Sequence, residues 1–290
     1  MTIPKQTGLF KASDETKIYY ELYGESGPVI ILSYGIACLM NHWHLQVEEF
    51  AKDHQVLMYD LRGHHKSEMG PADITIELLA KDTVELLRFL FPKDPKAHFW
   101  GHSFGAPIAF RCASLFPENV ESIVLINGFY KNPFSHILSV EAGLKIIDNL
   151  TVFAENAPDL SKWLWANSTD NLIFHYLAGV TGGFNLERTA YKDIEIYSKG
   201  LAALSLPNFF NNFKALLQFD GSGFFEDTLC PALIVHGERD GIVPLDQNKI
   251  LAECLPNATF LEFAEGSHCT QLDLPIELNQ AIRTFLKNRL

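Results

Sequence analysis

The stretch Ala97-His98-Phe99-Trp100-Gly101-His102-Ser103-Phe104-Gly105-Ala106 decides how the chain is read. Residues 97–100 form a short apolar strand, and the small and apolar residues 106–116 form a helix. Between them stands Ser103, with a glycine two positions before it and another two after. A serine is presented for attack on a substrate only where the chain turns sharply from strand to helix. Glycines admit such a turn because backbone passes where a Cβ would stand. The pentapeptide alone occurs often; a strand before it and a helix after it make Ser103 a candidate nucleophile. The Phe104 backbone N–H, at the helix N-terminus, would then face the negative charge that develops on an attacked carbonyl oxygen.

Outward from this turn the chain alternates. Residues 8–12 and 17–23 are β-prone and separated by the polar turn Ser13-Asp14-Glu15, which reads as a hairpin. Residues 28–33, 55–59 and 120–126 are apolar runs of the kind that form strands buried on both faces. Helical stretches at 41–52 and 74–91 lie among them. Such alternation implies βαβ units and a mostly parallel sheet. It stops from 132 to 220, where helical stretches and aromatics such as Trp163 and Phe210 replace it, and resumes with strands at 231–236 and 259–263 and helices at 246–254 and 275–288. The expected organisation is an α/β core of residues 1–131 and 221–290, with eight strands, and a helical insertion at 132–220.

A serine hydroxyl is a weak nucleophile and needs a base. Of eleven histidines, His268 lies in Glu265-Gly266-Ser267-His268-Cys269, on the loop after the last strand and before the terminal helix. That is the carboxyl edge of a parallel sheet, where ligands gather. The acid that orients such a base falls between serine and histidine in chain order. Asp240, in His236-Gly237-Glu238-Arg239-Asp240, follows a strand and fits. The rival position, at the end of strand 120–126, holds Asn127 and Gly128, neither of them a carboxylate. The second donor to a developing oxyanion belongs to the loop after strand 28–33, where the Ile36 backbone N–H is the candidate.

Other features carry less. His42 and His44 are two residues apart, so on a helix they point away from each other and share no ion. Cys269 lacks the helix N-terminus that would activate a thiol and reads as a bystander. No phosphate loop or dinucleotide fingerprint appears, so neither cofactor nor metal is expected. Among 290 residues the formal net charge is −12, which disfavours nucleic acid and anionic membranes as partners. Five cysteines without a Cys-x-x-Cys argue for a reducing compartment, and the N-terminal stretch has no leader pattern. A cytoplasmic protein with no membrane span, acting on a small molecule and with room for a homodimer, is the expectation.

Four segments carry a resemblance: Tyr59-Asp60-Leu61-Arg62-Gly63-His64, Gly101 to Gly105, His236 to Pro244, and Gly266-Ser267-His268. Together they resemble the capped α/β-hydrolase superfamily, in particular its esterases, enol-lactonases and cofactor-free peroxidases. The resemblance spans nearly all of the chain outside the insertion, and it implies an α/β-hydrolase fold whose insertion is a lid over Ser103. Two departures stand out. Members usually carry His-Gly in the oxyanion loop, where this chain has Tyr34-Gly35, and a glycine after Arg-Gly-His, where this chain has His65. Tyr34 is therefore a candidate for reshaping the pocket, with Trp163 and Phe210 from the lid. Asp60, Arg62 and Ser67 read as structural. The expected activity is hydrolysis of a carboxylic ester with an apolar acyl group through Ser103, His268 and Asp240. Lactone or C–C bond hydrolysis or perhydrolysis by the same three residues is the alternative, and a ligand receptor built on the same fold is the alternative of another class.

Overall fold

The structure is a computed structural model that describes residues 4–288; residues 1–3, part of the stretch read for a leader, and residues 289–290 lie outside it. Eight strands build one sheet: β1 Gln6–Lys11, β2 Lys17–Tyr23, β3 Val29–Ser33, β4 Gln55–Tyr59, β5 Ala97–His102, β6 Val120–Ile126, β7 Ala232–Gly237 and β8 Ala258–Phe263. Their order across the sheet is β1-β2-β4-β3-β5-β6-β7-β8. Only β2 runs against the others. Every residue of β3 and β7 is buried, as in strands covered on both faces. The edge strand β1 instead exposes most of its residues.

The helices of the core are α1 His44–Phe50, α2 Ile76–Leu90 and α3 Gly105–Leu115 before the insertion. The sequence pattern ran two of these together with their neighbours. Met40–Trp43 is a separate 3-10 turn ahead of α1, and α2 starts one residue after Thr75, whose hydroxyl caps it by accepting from the Leu78 N–H at 3.1 Å. Helices α4 Val140–Asn156, α5 Pro158–Thr169, α6 Leu172–Val180, α7 Tyr191–Ala203 and α8 Leu206–Gln218 all fall between β6 and β7. An antiparallel bridge between Lys131 and Asp220 closes the neck of this insertion. Phe210, Leu216 and Leu217 of α8 join the main hydrophobic cluster, so insertion and sheet share a core. The chain ends in α9 Leu245–Cys254, α10 Thr270–Asp273 and α11 Pro275–Lys287. None of the described helices is long and apolar enough to cross a membrane.

The chain leaves β3 to β4 on one side and reaches β5 on the other. This reversal opens a crevice at the carboxyl ends of β3 and β5, the usual binding place in an open parallel sheet.

Candidate active site

Ser103 follows β5 directly and stands two residues before the start of α3, and its φ is +52°. A non-glycine residue in that region is strained, and the surrounding backbone imposes it. The Ser103 N–H donates to the Ile126 carbonyl at 3.0 Å, and its own carbonyl accepts from Ala106 at 2.9 Å. A Cβ on Gly101 would stand 2.2 Å from the Gly105 carbonyl oxygen, and one on Gly105 would stand 2.1 Å from that of Ser33. The two glycines are required by contact between backbones.

His268 lies between β8 and α10 and Asp240 just after β7. His268 Nδ1 and Asp240 Oδ2 are 2.9 Å apart, and the Asp240 carboxylate is fully buried. Asp240 Oδ1 accepts from the Ile242 and Val243 N–H groups at 2.8 and 3.0 Å. A carboxylate held by two amides accepts a hydrogen bond from the Nδ1–H, which keeps the proton on Nδ1 and leaves the lone pair of His268 on Nε2.

Ser103 and His268 line one cavity of about 250 Å³ with an otherwise largely apolar wall, including Phe134, Phe213 and Val243. Ile36 also lines it. Among the described residues, neither the Ile36 nor the Phe104 backbone N–H makes a hydrogen bond.

A family model for the alpha/beta hydrolase fold matches residues 28–275. The chain belongs to the alpha/beta hydrolase family. A RutD protein from Stutzerimonas stutzeri, provisionally assigned as a carbamate hydrolase, is 28% identical over 93% of this chain and 96% of its own. A 3-oxoadipate enol-lactonase from Acinetobacter baylyi is 24% identical, with 95% of each chain covered. Among solved structures, a hydrolase from Pseudomonas aeruginosa matches with a TM-score of 0.80 at 23% identity over 97% of this chain and 98% of its own. The enol-lactonase from Burkholderia xenovorans matches with a TM-score of 0.78 at 22% identity, over 97% of this chain and 100% of its own.

Within this alpha/beta hydrolase the residues expected to shape the pocket lie elsewhere. Tyr34, the first residue of the loop after β3, is buried and does not line the cavity. Its hydroxyl donates to Asp60 Oδ1 and accepts from the Leu61 N–H, each at 3.0 Å. A phenol pinned by two partners fixes a loop, so Tyr34 ties the loop after β3 to the Asp60 loop. Trp163 is 61% exposed on α5, because that helix turns this face outward. Phe210 is buried in the main cluster while its neighbour Phe213, three residues on, reaches the cavity. Cys269 does line the cavity, and burial pushes its thiol well above the ordinary range, so it stays protonated.

The fold also supplies supporting contacts, some at residues the sequence singles out, such as Arg62 and His65, and some at residues it does not, such as His64 and Gly182. Asn127, with φ +47°, occupies the end of β6, and its side chain binds both the β7 end and the His268 loop. His64 Nε2 accepts from the Ala37 N–H at 3.1 Å, while its Nδ1 faces the Arg62 carbonyl. Burial lowers the pKa of His64 to about 4, so the ring stays neutral and holds the loop after β3 as an acceptor. His65 has φ +42° where the family prefers glycine, and its ring reaches the Cys38 carbonyl at 2.8 Å. Arg62 grips Asp82 through two nitrogens, at 2.6 and 2.7 Å, and also reaches Asp14. Finally, the Thr181-Gly182-Gly183 loop of the insertion packs on the Asp240 turn, and the Gly182 carbonyl accepts from the His268 N–H at 2.8 Å. Sequence periodicity carries no signal for these contacts, which join residues far apart in the chain.

Proposed function

We propose that this protein is a serine hydrolase that acts on a carboxylic ester or a related acyl substrate. The observation that carries the reading is one cavity shared by Ser103, at its strained turn, and His268, whose Nδ1 is bonded to buried Asp240. Ser103 Oγ attacks the carbonyl carbon and its proton passes to His268 Nε2. Asp240 holds the tautomer and stabilises the imidazolium. The Ile36 and Phe104 N–H groups receive the oxyanion. Collapse breaks the bond to the leaving alcohol, which takes the proton from His268. Water, deprotonated by His268, then attacks the acyl-enzyme and releases the acid.

The apolar wall favours an apolar acyl group. A cavity of about 250 Å³ lies just below the roughly 300–1,000 Å³ of drug-sized pockets, so a short acyl group is favoured. A carbamate or lactone carbonyl is attacked by the same chemistry, and the names of the relatives support testing both. Residues 132–220 serve as the lid in this reading, since the Gly182 loop touches both His268 and the Asp240 turn. The five free cysteines fit a reducing compartment such as the cytoplasm.

The test is a fluorophosphonate probe with a panel of p-nitrophenyl esters of increasing chain length, lactones and aryl carbamates. Labelling at Ser103 that vanishes in Ser103→Ala, together with loss of all turnover in that variant at an unchanged melting temperature, is expected. Folded wild-type protein that resists the probe and turns over nothing overturns the reading.

A further inference from the structure

Three side chains outside the Ser103, His268 and Asp240 set converge in the same cavity. Cys38 comes from the loop after β3, His42 from the 3-10 turn Met40–Trp43, and His102 is the last residue of β5. Each offers one ligand atom, and these atoms lie within 4.8 Å of one another. All three residues are buried and all three line the cavity. His42 turns inward to Cys38, four residues before it, and to His102, sixty residues on, while His44 stands beside Asp193.

The hydrogen bonds leave lone pairs unused. His102 Nε2 lies 2.8 Å from the His268 carbonyl oxygen, which only accepts. Nε2 therefore carries the proton and Nδ1 the lone pair. Among the described residues His102 Nδ1 has no partner, and neither nitrogen of His42 has one. Buried polar atoms are ordinarily satisfied, so three unpartnered ring nitrogens in one wall call for a ligand. Burial holds both rings in the neutral form that binds metals, with His42 lowered to about 3. A ring whose far N–H donates to a backbone carbonyl is also the usual support of a metal-bound histidine. Gly35 flanks the cluster: a Cβ there would stand 3.1 Å from His102 Nδ1 and 3.3 Å from Cys38 Sγ.

We propose that Cys38 Sγ, one nitrogen of His42 and His102 Nδ1 bind a single divalent ion of the zinc class, with its fourth position open toward Ser103. One thiolate and two imidazoles select a borderline-soft ion over calcium or magnesium. Burial pushes the Cys38 thiol above its ordinary range, as it does that of Cys269, so its proton leaves to solvent only as the metal–sulfur bond forms. Tetrahedral bonds of about 2.0–2.3 Å place ligand atoms about 3.5 Å apart, so the three groups draw together by about 1 Å on binding. An ion there takes up space beside Ser103, and its occupancy excludes substrate. Binding does not depend on the serine hydrolase reading, but the inhibition it causes does.

Metal-free protein titrated with Co²⁺ tests the site directly. The expected result is one Co²⁺ per chain with a thiolate-to-cobalt charge-transfer band and tetrahedral d–d bands, all displaced by one equivalent of Zn²⁺. Cys38→Ser removes the charge-transfer band, and His42→Gln weakens binding at least tenfold, with circular dichroism confirming that both variants fold. Cys254→Ser, at an exposed cysteine, leaves the spectrum unchanged. A wild-type protein without the charge-transfer band overturns the proposal, whatever the variants do. So does a band that survives Cys38→Ser or disappears in Cys254→Ser. Zn²⁺ should also slow fluorophosphonate labelling of Ser103. Labelling that fails in metal-free protein sinks the nucleophile assignment, while the cobalt spectrum still decides the metal site.

Discussion

The side-chain amide of Asn127 donates a hydrogen bond to the main-chain carbonyl of His268 at 2.6 Å. The same nitrogen reaches the Ser267 carbonyl at 2.6 Å and Thr270 Oγ1 at 3.0 Å, while Oδ1 accepts from the Gly237 N–H at 2.8 Å. Asn127 thus ends the strand between Ser103 and Asp240 and fastens the loop that carries His268 to the end of β7. The side chain at this sheet end works as a donor, a role that a carboxylate cannot fill.

Asn127→Asp replaces that donor with an acceptor facing two carbonyls. We expect a loss of about 2–3 kcal/mol in unfolding free energy, the cost of buried groups left unpaired. Ester turnover should fall as well, because the His268 loop loosens. Asn127→Ala should show the same direction. Urea unfolding beside p-nitrophenyl ester kinetics reads both, and full activity in Asn127→Asp would mean that the loop is held elsewhere.

Asp240→Asn keeps the shape of the turn but offers a donor toward His268 Nδ1, which favours the wrong imidazole tautomer. A fall in kcat of about 10³–10⁴-fold with little change in KM is expected. A loss below tenfold, measured on the best ester of the panel, would remove Asp240 from the proposed mechanism.

Contact between the insertion and the Asp240 turn predicts a separate effect. A Cβ on Gly241 would stand 2.1 Å from the Thr181 carbonyl oxygen, and one on Gly182 would stand 2.3 Å from the Gly241 nitrogen. Gly241→Ala should push the Thr181–Gly183 segment away and disturb the Gly182 bond to His268. Activity should drop at least tenfold while the melting temperature changes by only a few degrees. Unaltered kinetics would show that the loop yields without cost.

Acid should destabilise this protein through its buried histidines. His64 and His42 have folded pKa values lowered to about 4 and about 3 by burial, and His102 is shifted the same way. The unfolded chain binds protons near pH 6.5, so below that pH it holds more protons than the folded state. Their contribution is complete above pH 6.5 and is lost as pH falls toward the folded values. The slope approaches about 1.4 kcal/mol per pH unit for each histidine. Urea midpoints at pH 7.5, 6 and 5 should therefore fall in that order. His64→Gln should flatten the trend; an equally steep trend in that variant would acquit His64.

Much was legible in the chain because the deciding signals are local. The continuous apolar runs of β3 and β7 mark strands with two covered faces, and Gly101 and Gly105 mark a turn where backbones touch. Pattern reading ended β5 at Trp100, whereas the strand continues to His102, because pairing with Leu125 and Ile126 of β6 supplies partners that apolarity does not signal. The aromatics of the insertion are the least legible in the sequence. Helical position alone does not say which face of α5 or α8 is covered, so the sequence offers Trp163 and Phe210 alike, whereas Trp163 is exposed and the residue of α8 that lines the cavity is Phe213.

Ser103, Asp240 and His268 were chosen from the sequence because each follows a strand, and parallel strands deliver their carboxyl ends to one edge. Only the folded chain decides what surrounds them: Asn127 beneath His268, His64 behind the loop after β3, the Gly182 carbonyl on the His268 N–H, and the meeting of Cys38, His42 and His102. These contacts bridge loops up to 141 residues apart. Their partners are set by how strands order in the sheet and how the insertion folds back on it, which no local pattern of residues encodes.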